Sequence, residues 1–260
     1  MPAIAIVAAF IALTAVSIKF GFTNTTRTKS VLNNRLPETM LWAWERPEDL
    51  SFLNTNGKIG IAYLAKTLLL KSNNLSVRPR FQPVKFPQGA TTMAVVRIES
   101  DGTAELSPAQ RARTAAEISE LAHQKNIVGV QIDFDAKQSE RIFYRDLILD
   151  LRRNWPGDVG LSITALASWC ISDTWIKDLP IDEAVPMLFR MGADNNQIRM
   201  HMKSGGDFNL DLCRNSVGIS TDELIDDLPV GRRIYIFNTQ SWNQQSVNKA
   251  LMTARQKDGQ

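Results

Sequence analysis

The feature that most constrains the fold is the stretch at residues 127–136, I-V-G-V-Q-I-D-F-D-A, an apolar strand that carries two carboxylates on one face. Alternation with a period of two sends Val128, Val130, Ile132 and Phe134 one way and Gly129, Gln131, Asp133 and Asp135 the other. The segments on both sides read as helices, so the strand sits in an α-β-α unit and its outer face is covered. The acidic face then looks into a barrel interior or a cleft at the carboxyl end of the strand, where α/β proteins assemble their sites.

The rest of the chain supplies enough elements to close such a barrel. Its 260 residues suit one domain of a fold that typically takes about 250. Strands are expected at 40–45, 60–64, 93–99, 127–136, 159–165, 185–191, around Ile219 and at 233–237, eight in all. Ser107-Pro108-Ala109-Gln110 starts a helix with a capping box and an early proline, burying Ala112, Ala115, Ile118, Leu121 and Ala122. Ser139 caps a helix that buries Phe143, Leu147 and Leu151, and Trp155-Pro156-Gly157 stops it. Pro47 suits a short helix to about Leu53, Ser220-Thr221-Asp222-Glu223 another to about Leu228, and Ser241 starts the closing helix. Residues 67–71 and 75–81 read instead as the arms of a hairpin around Ser72-Asn73-Asn74. The expected fold is a TIM-like (β/α)8 barrel with a hairpin insertion after the second strand, over residues 36–254, with a frayed tail at 255–260.

Residues 2–18 form a nearly unbroken apolar run before Lys19. Its length is at the lower edge of a spanning helix, and no basic residue or sharp A-x-A site marks a cleaved leader. An uncleaved membrane anchor, an export signal and a buried helix all fit residues 1–22, with 23–35 as a linker. The first two place the domain on the periplasmic or envelope side of a membrane. Cys170 and Cys213 fit either an exported disulfide or two separate thiols, and with only two histidines no zinc spacing appears. His123 reads as a surface or helix-end residue. A net charge of +3 is too small for a nucleic-acid surface.

Closing the strands in this order brings Glu45, Arg97, Glu99, Asp133, Asp135, Thr164, Arg190 and Asn238 to one mouth, with Trp169 and Trp242 in loops above it. Trp42 and Trp44 alternate away from Glu45 and are expected under the outer helices. Hydrolysis of a glycosidic bond needs a carboxyl that donates a proton and a second one acting as nucleophile, base or orienter. Asp135 reaches furthest, Asp133 holds or tunes it, and Glu99 or Glu45 is the donor candidate. Arg97, Thr164, Arg190, Asn238 and the two indoles are candidate contacts for a glycan or other polyhydroxylated ligand. Three other readings stand beside this one. The barrel binds carbohydrate without cleaving it; Asp133, Asp135 and Glu99 hold magnesium or calcium for phosphoester hydrolysis; or Arg97 and Arg190 neutralise the acids in an internal ion-pair network. No cofactor fingerprint is present, and the oligomeric state is not encoded in any motif.

Five blocks carry a resemblance: W-A-W-E-R-P-E-D-L at 42–50, V-V-R-I-E at 95–99, V-G-V-Q-I-D-F-D-A at 128–136, L-S-I-T-A-L-A-S-W-C at 161–170 and D-E-A-V-P-M-L-F-R-M-G at 182–192. Together they resemble a family of uncharacterised bacterial proteins, often exported or lipid-anchored, known as a domain of unknown function. More distantly, the D-F-D strand is similar to the D-x-x-D-x-D-x-E strand of chitinase-like glycoside hydrolase barrels. That resemblance implies a barrel and makes Asp133 and Asp135 the second and third acids. Val130 stands at the first aspartate position and Lys137 at the proton-donating glutamate, so that mechanism does not transfer directly.

Overall fold

The computed structural model describes Leu32 and residues 35–255, apart from Thr55, Leu224, Asp226 and Asp227. The candidate anchor or signal segment at 1–22, most of the linker and the tail at 256–260 lie outside the described residues. Among the described residues no helix is long and apolar enough to cross a membrane.

The strands are β1 Thr39–Ala43, β2 Glu48–Asp49, β3 Ile59–Lys71, β4 Asn74–Pro79, β5 Val84–Lys85, β6 Thr91–Ser100, β7 Ile127–Asp133, β8 Gly160–Leu166, β9 Glu183–Met187, β10 Ser216–Ser220 and β11 Arg233–Phe237. The helices are α1 Pro108–Ala122, α2 Arg141–Arg153, α3 Ala167–Ile171, α4 Asn195–Lys203 and α5 Gln244–Arg255. Eight parallel strands run β1-β3-β6-β7-β8-β9-β10-β11, and pairing of β1 with both β3 and β11 closes the barrel. The expected fold is therefore the observed one, including the hairpin.

The hairpin differs in construction. The second barrel strand and the first hairpin arm are one strand, β3, with a register shift between Leu64 and Lys66 against β6. The extra residue reverses which side chains face inward. Ala62 and Leu64 lie in the barrel interior, whereas Leu68 and Leu70 face the outer core and Lys66 reaches Glu117 and Glu120 of α1. Beyond the bulge β3 pairs with antiparallel β4 instead of β1. The segment after Pro47 is not the expected helix: Glu48 and Asp49 form β2, paired with β5. Residues 221–223 after β10 show no helical turn.

Two apolar layers sandwich the barrel wall. The outer one packs Ile118 and Leu121 of α1 and Phe143, Leu147 and Leu151 of α2 against Val96, Val130 and Ile132. Helix α1 is capped by Ser107, which accepts from the Gln110 N–H, and buries Thr114 rather than Ala112. The inner layer contains Met40, Trp42, Met93, Val95, Val185 and Tyr235. Leu32 plugs the bottom: a Cβ added at Gly160 would stand 2.1 Å from its Cδ2, and one at Gly129 3.0 Å away. These positions are glycine because a leucine side chain occupies the space a methyl group would need.

The lower interior is polar, and a chain of hydrogen bonds links its charged pair to the barrel wall. Arg233 and Glu183 form a buried ion pair at 2.6 Å, and the Tyr235 hydroxyl donates to the same carboxylate. Ser162 donates to Glu183, Gln131 donates to Ser162, and the Trp42 indole N–H donates to Gln131 at 2.8 Å. A buried charge is tolerated only with this degree of satisfaction. An internal network in which Arg97 and Arg190 neutralise the acids was one expected reading; Arg97 does pair with Glu99, while the fully buried pair is Glu183 with Arg233, one level below Asp133. The disulfide Cys170–Cys213, with Cα atoms 6.0 Å apart, ties α3 to the turn before β10.

Candidate functional site

Above the polar floor, at the carboxyl ends of the strands, lies a cavity of about 630 Å³. Strand β7 positions its chemistry. Val130, Ile132 and Phe134 pack outward, so Gln131 enters the floor and Asp133 and Asp135 line the cavity. The alternation reverses at the start of the strand, where Ile127 packs outward and Val128 on the inner layer, because a register shift against β6 inserts one residue between Ile127 and Gly129.

Asp133 is the deeper acid. Its Oδ1 accepts from the Thr164 hydroxyl of β8 at 2.7 Å. Burial, reinforced by the neighbouring Asp135 charge, raises its pKa from 3.8 to about 6, against the opposing pull of Thr164 and Arg97. Burial also raises the Asp135 carboxyl, while Arg97 draws it back down. Arg97 and Glu99 of β6 reach the same cavity and pair with each other at 2.9 Å. The Arg97 guanidinium also lies 5.9 Å from the Trp44 ring centre.

The aromatic wall differs from the expected one. Trp42 and Trp44 point inward, not beneath the outer helices, because Leu41 and Ala43 take the outer face. Trp42 caps the floor, and Trp44 stands edge-on to Phe237, with ring centres 6.1 Å apart. Phe237 stacks on Phe189 at 5.8 Å with a 5° interplanar angle. Trp169 and Trp242, expected above the mouth, are buried in the outer core at 2% and 4% exposure. Short helix α3 turns Trp169 down onto Trp175, and the Trp242 indole N–H donates to the Trp42 carbonyl. Neither lines the cavity.

The inward turn of Trp44 carries Glu45 outward. Its carboxylate accepts the backbone N–H groups of Phe81 and Gln82, bracing the end of the hairpin. Asn238 likewise leaves the site: it accepts from Thr221 and donates to the Gln240 carbonyl. Arg190 does line the cavity, though from a turn beyond β9 at positive φ (52°), with its guanidinium 5.1 Å from the Phe237 ring centre. Sequence reasoning missed Phe189, Phe237 and Asp194, which complete the wall and rim. The strand-end position of Phe237, directly before Asn238, was the available signal for it.

Among the described residues no group of three or more His, Cys, Asp or Glu side chains is gathered closely enough to hold a metal ion. Asp133, Asp135 and Glu99 are therefore not gathered into a three-carboxylate cage of the kind calcium takes.

These observations define a (β/α)8 barrel protein with an acidic, aromatic-walled cleft at the carboxyl ends of its strands. Within it, residues 88–187 match the model of a domain of unknown function, DUF3142. The matched range contains the blocks at 95–99, 128–136 and 161–170 and most of the cavity's acids. The chitinase domain of the spore coat protein CotE from Clostridium difficile is structurally similar over 58% of this chain and 49% of that one, at 16% identity and a TM-score of 0.40. The chain thus spans about half of that domain. No curated protein matches the sequence.

Proposed function

We propose that this cavity binds a glycan and that its acids hydrolyse a glycosidic bond. The observation that carries the reading is Asp133, a carboxyl in a barrel mouth whose pKa is raised to about 6 beside a second acid. Two carboxyls that disfavour simultaneous ionisation hold a proton between them at mildly acidic pH. Asp135, nearer the mouth, meets the scissile oxygen, and Asp133, fixed by Thr164, sets its charge state. Glu99, oriented by Arg97, is the second carboxylate that the reaction needs. Trp44, Phe189 and Phe237 give the cavity an aromatic wall against which a sugar ring can pack. A disulfide supports an exported, envelope-side location for the domain, with the amino-terminal segment as its attachment to the membrane.

A second reading, binding without cleavage, is favoured by the Arg97–Glu99 pair, which neutralises Glu99, and by Asp133 and Asp135 rising from one strand. Reducing-end release and binding, measured together on envelope polysaccharides, separate the two. Release that vanishes in Asp135→Asn and Glu99→Gln supports hydrolysis. Binding without release in every form leaves a carbohydrate-binding barrel, and neither binding nor release refutes both.

A further inference from the structure

The cavity carries a charge of opposite sign to the chain. Six carboxylates line it, Glu99, Asp101, Asp133, Asp135, Glu140 and Asp194, against three cations, Arg97, Lys137 and Arg190, in a protein of formal charge +3. Compensation among them is uneven. Glu99 pairs with Arg97. Asp101 stands 3.8 Å from Lys71 and accepts from Thr103, and Glu140 accepts the Lys137 backbone N–H. Asp133, Asp135 and Asp194 make no ion pair among the described residues. Two of the cations contact the aromatic wall: Arg190 lies over Phe237 and Arg97 over Trp44.

Resting on the glycan reading of this site, we infer that its ligand is a cationic glycan, a chain of hexosamine units with free amino groups. An ammonium group entering here meets carboxylates that make no ion pair and that Arg97 compensates only from a distance, between low-dielectric walls that concentrate their field. Arg97 over Trp44 and Arg190 over Phe237 show that the wall attracts cations, and a protonated amino sugar shares or displaces these contacts. A uronate would bring like charge to these acids, and a neutral acetylated sugar would engage them through hydrogen bonds from its hydroxyl and amide groups without charge pairing.

Titration of the full chain with three oligosaccharides of equal length tests this: a free-amine hexosamine oligomer, its N-acetylated form and a uronate oligomer, each at low and raised salt. The free-amine oligomer is expected to bind roughly tenfold more tightly than the acetylated one, a difference of about 1.4 kcal/mol. The advantage shrinks as salt screens the cavity. Asp194→Asn, at the exposed rim, weakens the free-amine oligomer more than the acetylated one. Equal or tighter binding of the acetylated or uronate oligomer overturns the charge inference and leaves the glycan reading standing. Failure of all three to bind overturns both.

Discussion

Replacing Asp133 with asparagine should make the protein more stable at neutral pH. The carboxyl ionises near 3.8 in the unfolded chain and at about 6 in the fold. Folding therefore favours its protonated form. The group imposes no penalty below the unfolded value, a growing one between the two, and a constant one above the folded value. A shift of about two units corresponds to about 3 kcal/mol, but Asp133 is only half-buried, so solvent screening makes about 2 kcal/mol the better expectation. Asparagine is close in shape and can still accept the Thr164 hydroxyl through its amide oxygen. For a chain of this size the change corresponds to roughly 4 to 8 °C in melting temperature. Thermal unfolding of both proteins between pH 3.5 and 8 measures it. The gap should be near zero at the acid end, open between pH 4 and 6, and then stay level. A variant less stable than the parent at pH 7, or a gap independent of pH, would refute the assignment of Asp133 as a strained site acid.

Further outcomes follow from the same structure. Glu183→Gln leaves the Arg233 guanidinium buried without its counter-charge, and should cost about 3 to 5 kcal/mol in denaturant unfolding. Cys213→Ser opens a loop of 43 positions, and chain entropy puts the loss near 4 kcal/mol, checked by comparing oxidised and reduced melting curves. Gly160→Ala drives a methyl group into Leu32 and should lower stability by about 1 to 3 kcal/mol without altering ligand affinity at the opposite end of the barrel. Hydrolysis, followed by reducing-end release, should decline as pH rises through about 6, where Asp133 loses its proton.

The reach of the sequence differed from strand to strand. Asp133 and Asp135 were readable because every outward neighbour from Val130 to Phe134 is apolar, which fixes the face of the strand without knowledge of its partners. In β1 both faces are apolar, Met40 and Trp42 against Leu41 and Ala43. Alternation there gives two sets but not which one is inside, so Trp44 and Glu45 were exchanged. The deciding contact, the Trp42 indole on Gln131, spans 89 positions. The single-residue shift in β3 is likewise invisible to periodicity, since it depends on pairing with β6. Trp169 and Trp242 looked like loop residues because α3 is only five residues long and because the Trp242 bond to Trp42 spans 200 positions. Glu183 and Arg233 lie 50 positions apart, and only the placing of β9 and β11 on either side of β10 brings them together.

The most direct test of the site is a carboxyl titration of Asp133 and Asp135 by NMR on the intact protein, with and without a free-amine hexosamine oligomer. A midpoint near 6 for Asp133 that moves when the oligomer is added is the predicted result. An ordinary midpoint near 4 that the oligomer leaves in place would contradict the central claim, because the acid pair would then be neither tuned by the barrel nor in contact with the ligand.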